Sequence, residues 1–499
     1  MQPIPEYAYS WRPYANPGLI SRAFTGPDTC HYRFIIDPWT QNWVITEPVA
    51  DELLAMCNGK RRFSEIMRKL ENENENAESF DLSELALQLR KREILFCNAN
   101  DHKLSGRPVY NTCDFTGLHI EITNACNMTC THCYVSSGKP MANEMDWDTI
   151  YDTVDSLPPH SGRRIAISGG EPIVRKGCMS LVEYCVRDCG HDVDLYTNGR
   201  KFPKRFAEQI SDLNKRHSAQ IRLQVSLEGA NEITNDLVRG TGSFKDACES
   251  LAMFQELGLG PQVVLFVCLT KHNIHQVEQI IALAEEYSAG MLVFSQWQRQ
   301  GNAEDTPWES IAPANKDWVR AGDIIANYRS PTLQVHGNFY GDLGNNEIGR
   351  FSLDSQKFPK HVYYYNAFPR ITPQGDVLAD QMWVDQSWML GNVKNETLDM
   401  CFRKPQFYEQ LYQMYTRSDK ISECKACAWR ELCESGSPGH TYAEYGHMDE
   451  KDLFCEVRKY WFERYIEHHI NKAFGTATVR SPVVEERSSS KLIAAASIL

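Results

Sequence analysis

The chain has 499 residues, enough for two or three domains, and its 42% hydrophobic and 23% charged residues suit a protein with a substantial buried core. A formal net charge of −13 argues against nucleic acid as a partner, since phosphates need a basic face, and no apolar run reaches the length of a membrane span. The start, Met1-Gln2-Pro3-Ile4-Pro5-Glu6, has neither the basic nor the apolar region of a secretion signal. The expected setting is therefore the reducing cytoplasm, where seventeen cysteines at clustered spacings favour metal or iron–sulfur ligation over disulfides.

The first stretch, 15–105, has β-like runs at Tyr32–Ile36 and Trp43–Thr46. Helical patterns follow at Val49–Cys57, Phe63–Leu70 and Leu82–Arg92, with the polar link Glu71–Asn76 between the last two. Strands then helices predict a small α+β domain of winged-helix type. The second stretch, 113–310, alternates apolar β-rich runs with helical patterns such as Gly177–Asp188 and Phe244–Leu257. The strand candidates are Leu118–Thr123, Arg164–Ser168, Val193–Thr197, Arg222–Leu227, Val263–Leu269 and Met291–Phe294. Repeated βα units predict an α/β fold with a parallel sheet, open or closed. The third stretch, 311–470, is irregular and aromatic, and closes on a cysteine group and a helix near Glu456–His468. Residues 476–499 are expected to form a disordered tail. Cys178, Cys185 and Cys189 share one helical face and are expected in the core, as are Cys248 and Cys268. His336, His361 and His440 read as surface loop residues, and Tyr363–Tyr365 as packing between domains.

Two constellations carry chemistry. Cys126-x3-Cys130-x2-Cys133 directly follows the first strand of the βα region. Three thiolates on one tight loop can ligate three irons of a four-iron cluster, leaving the fourth free for a small molecule. A zinc site would instead need a fourth ligand, and His132 lies on the same loop. The run Arg164–Ser168 ends in Gly169-Gly170-Glu171-Pro172. Two glycines at the carboxyl end of a strand allow close backbone approach to a ligand, and the exposed backbone groups there, with Glu171 nearby, can hold an α-amino group. The second constellation, Cys424-x2-Cys427-x5-Cys433-x21-Cys455, is a complete four-thiolate set for zinc or for a cluster.

The first constellation resembles the radical S-adenosylmethionine (SAM) superfamily. The resemblance implies a partial (β/α)6 barrel in which Cys126, Cys130 and Cys133 hold a [4Fe-4S] cluster and the open iron binds SAM. Tyr134 matches the family's aromatic residue beside the adenine, and Gly169, Gly170 and Glu171 match its amino-group motif. Ser226 and Glu228 resemble its polar contacts to the ribose or methionine part, and Arg239 a carboxylate-binding arginine. The second constellation resembles the SPASM region of peptide- and protein-modifying members, which carries two auxiliary clusters. This chain departs from that pattern: the usual Gly-x4-Cys reads Gly375-x4-Asp380, and a further cysteine position falls on Ser437. One auxiliary [4Fe-4S] cluster is therefore expected, on Cys424, Cys427, Cys433 and Cys455. Trp43–Pro48 with Ala50–Cys57 and Gly59 resembles the PqqD-type peptide chaperone, which implies leader-peptide binding at a sheet edge.

These resemblances imply a cytoplasmic maturase of a ribosomally made precursor peptide with a leader segment, reduced by a partner such as flavodoxin or ferredoxin. The expected product is an intramolecular thioether or carbon–carbon cross-link. Peptidyl epimerization is the alternative, with Cys268 as the candidate hydrogen donor, and a non-catalytic peptide-binding or redox scaffold is the alternative of another class.

Overall fold

The computed structural model describes residues 11–37, 42–73, 82–99, 101, 113–158, 163–218, 220–337, 365–379, 381–383, 385–433, 435–475 and 478–479. His361, Tyr363, Tyr364 and Asp380 lie outside the described residues.

Three antiparallel strands open the chain: β1 (Ile20–Thr25), β2 (His31–Ile36) and β3 (Trp43–Thr46). The first escapes sequence reading because Ile-Ser-Arg-Ala-Phe-Thr has no clean apolar alternation. Side chains alternate across a strand, so the small sheet has two buried faces. Ile35 and Val44 join a separate core with the helices Val49–Met56, Phe63–Glu73 and Leu82–Lys91. Ile20, Phe24, Phe34 and Ile36 join the main core on the other side.

After β4 (Cys113–Phe115) come β5 (Gly117–Thr123), β6 (Arg164–Gly169), β7 (Asp192–Thr197), β8 (Ile221–Leu227), β9 (Val263–Leu269) and β10 (Met291–Gln296). These last six lie side by side in chain order, all parallel. Parallel neighbours require crossovers, supplied by helices such as Cys178–Arg187 and Lys204–Arg216. Cys178, Cys185 and Cys189 are buried as expected. The arrangement gathers all six carboxyl ends on one edge, where ligand-binding loops of such sheets sit.

The sheet does not stop at residue 310. β11 (Gln334–Gly337) adds to β10, and His336 lies on this strand rather than in a loop. β12 (Tyr365–Ala367) pairs with β4, and β13 (Arg370–Ile371) runs parallel to β5. β14 (Asp376–Leu378) and β15 (Gly391–Asn392) extend it antiparallel. The stretch read as a separate C-terminal region thus contributes four strands to a ten-stranded sheet. Helices follow, ending with Cys455–Phe474, and β16 (Thr478–Val479) pairs antiparallel with β1. Those two residues of the expected tail are therefore strand; the rest of it lies outside the described residues. No helix among the described residues is long and apolar enough to cross a membrane.

Candidate active site

The cysteine loop is closed at its base. Cys126 N donates to Gly138 O (2.9 Å) and Gly138 N to Asn124 O (3.0 Å). A second layer holds it from outside: Asn302 donates from its backbone N to Cys133 O and from Nδ2 to Cys130 O, both at 2.9 Å. Cys126, Cys130 and Cys133 border one cavity of about 350 Å³ at the carboxyl ends of β6–β10. Tyr134, Gly169, Gly170, Ser226, Glu228, Arg239 and Cys268 border the same cavity. Residues spread over more than a hundred positions of sequence thus meet at one place.

Two of the sulfurs already receive N–H groups: Asn198 Nδ2 reaches Cys126 Sγ at 3.8 Å, and Ser137 N reaches Cys133 Sγ at 3.3 Å. Burial pushes the Cys126 thiol up to about 11 and also raises Cys130, against the nearby Arg239 guanidinium. Buried thiolates need a cationic partner. Three sulfurs on one loop, N–H donors aimed at two of them and a guanidinium beside the third fit an iron–sulfur cluster.

The glycine turn approaches this loop as closely as backbone allows. Gly169 has φ +136°, and a Cβ there would lie 2.2 Å from Thr123 O; a Cβ on Gly170 would lie 2.3 Å from Ala125 O. Glu171 is fully buried, and its carboxylate accepts from Thr197 Oγ1 (3.0 Å) and Asn198 N (2.7 Å). Burial raises it to about 7 in spite of those hydrogen bonds. Its side chain ties β6 to β7, and it is the backbone of Gly169 and Gly170 that borders the cavity.

Glu228, buried just beyond β8, is a hub. Its Oε1 meets His132 Nε2 at 2.8 Å and Arg239 at 3.4 Å, and its Oε2 accepts from Cys268 N at 2.9 Å. His132 is thereby tied to Glu228 through Nε2. Arg239 is buried. Burial pulls its pKa down, but Cys130 and Glu228 raise it overall. Cys268, expected in the core, borders the cavity instead, with its thiol raised well above its ordinary value by burial and then by Glu228. His132, Glu228 and Cys268 place ligand atoms within 4.8 Å of one another.

Tyr134 is held from behind. Its hydroxyl donates to Glu121 Oε1 (3.3 Å), and the Arg370 guanidinium lies 5.4 Å from its ring centroid. Arg370 forms a buried bidentate pair with Glu121 (2.8 and 3.1 Å) and also donates to Trp383 O (2.8 Å). Sequence reasoning missed Glu121, Asn198 and Arg370. Asn198 sits in a Thr-Asn-Gly turn that a strand-end reading flags, whereas nothing local marks a pair 249 residues apart.

Cys424, Cys427, Cys433 and Cys455 border a second, smaller cavity of about 80 Å³. Burial pushes Cys433 up to about 12, opposed by Arg458, and Cys455 to about 11, opposed by Lys459. Ser437, where the family has a cysteine, caps the helix Pro438–Tyr445: its Oγ accepts from His440 N (3.3 Å). His440 is a buried helical residue rather than a surface loop residue.

The family model of the radical SAM superfamily matches residues 120–284. The Fe-coproporphyrin III synthase of Methanosarcina barkeri is 30% identical over 360 residues, 68% of this chain and 87% of that protein. The chain belongs to the radical SAM superfamily. It is also similar to the mycofactocin maturase MftC of Mycolicibacterium smegmatis, 27% identical over 337 residues, 67% of this chain and 81% of MftC. The structure of Streptococcus suis SuiB bound to precursor peptide SuiA has the same fold, with a TM-score of 0.54 at 16% identity over 89% of this chain and 100% of SuiB. Membership of the radical SAM superfamily makes the protein an enzyme and sets aside the scaffold alternative.

Proposed function

We propose that this radical SAM enzyme matures a precursor peptide at the cavity described above. The observation that carries the reading is that the CxxxCxxC loop, the Gly169–Gly170 turn and the inner ends of β7–β10 share one cavity. Cys126, Cys130 and Cys133 would hold the SAM-binding [4Fe-4S] cluster, and Cys424, Cys427, Cys433 and Cys455 one auxiliary cluster. When bound and reduced, the first cluster supplies the electron that cleaves SAM to the hydrogen-abstracting 5′-deoxyadenosyl radical. The chain's own residues orient the cosubstrate: Gly169 and Gly170 by their backbone, Arg239 toward a carboxylate, Tyr134 beside the adenine, and Ser226 and Glu228 toward the ribose or methionine part. Arg458 and Lys459 offset the negative charge of four thiolates at the second set.

The peptide reading is supported by similarity to MftC, by name a maturase, and by the SuiB–SuiA fold, whose likeness takes in 89% of this chain. In the PqqD-like reading of 15–105, β3 pairs with β2 alone among the described residues, leaving an edge on which a leader can add a strand. A flavodoxin or ferredoxin would supply electrons. The favoured product is an intramolecular cross-link, whose second electron an auxiliary cluster can accept. The position of Cys268 on the cavity wall favours a second reading, peptidyl epimerization, in which its thiol returns a hydrogen atom.

The test is mass spectrometry of a precursor peptide encoded beside this protein, coexpressed with it in deuterated medium. Loss of two hydrogens marks a cross-link. Unchanged connectivity with a solvent deuteron at one Cα, abolished in Cys268→Ala, marks epimerization. An unmodified peptide beside active SAM cleavage overturns the proposal.

A further inference from the structure

The inner wall of the cavity follows from strand alternation. Tyr196 on β7, Gln224 and Ser226 on β8, Phe266 and Cys268 on β9, and Ser295 on β10 border it. Their neighbours Val225, Leu227, Val267 and Phe294 are buried on the opposite, helix-covered face. Ladder register sets Gln224 beside Tyr196, Ser226 beside Phe266, and Cys268 beside Ser295. Gln224 lies two residues before Ser226 on a strand whose carboxyl end meets the cysteine loop, so it belongs to the floor and not to the rim.

Two properties of this floor stand out. Gln224, Ser226 and Ser295 are half-buried and have no side-chain hydrogen-bond partner among the described residues. The ionic groups bordering the cavity, in contrast, are mutually engaged: His132 and Arg239 both lie against Glu228. Among the described residues no other Lys, Arg, Asp or Glu borders the cavity. With Arg239 committed to Glu228 and to the carboxylate of SAM, a further charge entering such a space loses water and finds no free counter-charge. A peptide group finds a match, because a primary amide offers an acceptor and two donors to a carbonyl and an N–H.

We propose that the floor of the cavity is a recognition pocket for an uncharged peptide residue, with Gln224 pairing its amide group and Phe266 and Tyr196 packing its side chain. The inference rests on the peptide reading and deepens it by naming the class of residue that reaches the chemistry. It also separates this pocket from one built for a tetracarboxylate, which needs cations.

The experiment uses the full-length, cluster-reconstituted protein with SAM and a fixed set of probes. These are N-acetyl methylamides of valine, tyrosine, lysine and glutamate, each deuterated on carbon, together with coproporphyrin III. Binding is read without reductant by saturation-transfer NMR, and access to the reacting centre by deuterium appearing in 5′-deoxyadenosine after reduction. The valine and tyrosine probes are expected to bind and to transfer deuterium at least fivefold more than the lysine and glutamate probes. Gln224→Leu is expected to lower neutral-probe binding at least fivefold while the Kd for SAM, measured by calorimetry, stays within twofold. Charged amides entering as well as neutral ones overturn the pocket while leaving the peptide reading standing. An unchanged Gln224→Leu with wild-type SAM affinity, or a loss of SAM affinity equal to the loss of probe binding, also overturns it. If coproporphyrin III binds and no amide does, both the pocket and the peptide reading fail. The probe series on the unaltered protein decides the matter even if the variant does not fold.

Discussion

Cys133 illustrates how much chemistry a single atom carries here, because its sulfur is both a candidate cluster ligand and the acceptor of Ser137 N. Changes behind metal ligands cost about 10–100-fold, so loss of a ligand is expected to cost more. Cys133→Ser should lower reductive SAM cleavage by at least ~100-fold, read as 5′-deoxyadenosine. The iron of the Cys424–Cys455 set should remain, read by iron analysis. Asn198→Ala, which removes the N–H facing Cys126, should cost ~10-fold. Buried His440 gives a pH prediction. Burial, with Arg458 adding and Asp452 opposing, lowers its pKa to about 4. Unfolded chains bind this proton near the ordinary 6.5, so stability is full above that value and is lost as pH falls toward 4. The loss is at most about 3 kcal/mol. His440→Gln should flatten that part of the acid limb in urea unfolding followed at pH 7 and pH 5. The cysteine spacings were legible in the sequence because ligation constrains neighbours on one loop. His440 was not, because a lone histidine carries no sign of what packs over it.

Among the elements, β5–β10 were legible because alternating strands such as β8 and apolar runs such as β9 are each set between helical patterns. β13, β14 and β15 were not: they are two or three residues long and gain their partners from a sheet that begins more than two hundred residues earlier. What locks β13 onto β5 is the Arg370–Glu121 pair, buried and bidentate. Removing one member leaves the other charged and unpaired, a loss of about 3–5 kcal/mol. Arg370→Met should therefore lower thermal stability sharply. Adding Glu121→Leu should recover most of it, because a buried pair replaced as a pair is often nearly neutral. Since Tyr134 contacts both members, the single variant should also weaken SAM binding in calorimetry. If SAM affinity does not move, the pair is structural alone.

At the scale of the whole molecule, the N-terminal sheet is not a detachable module. One face packs on its own helices. The other meets the helix Cys455–Phe474, whose end places Phe474 5.3 Å from Phe24 and His469 4.7 Å from Trp43. Arg22 pairs with Glu463 on the same helix and lies 5.9 Å from the Trp429 ring, which borders the four-cysteine cavity. That helix begins at Cys455, so one element carries a candidate cluster ligand at its start and the docking face of the sheet at its end. Deleting residues 1–105 should consequently do more than abolish leader binding. It uncovers the apolar side of the helix, and the truncated protein is expected to bind a hydrophobic dye and associate in size-exclusion chromatography. Iron at the second site should fall while the Cys126–Cys133 site retains its own. Phe24→Ala, which opens a cavity at the same contact, should cost about 3–5 kcal/mol and move both properties in the same direction by less. A truncated protein that stays monomeric with a full iron complement would show that the two ends of this helix act independently.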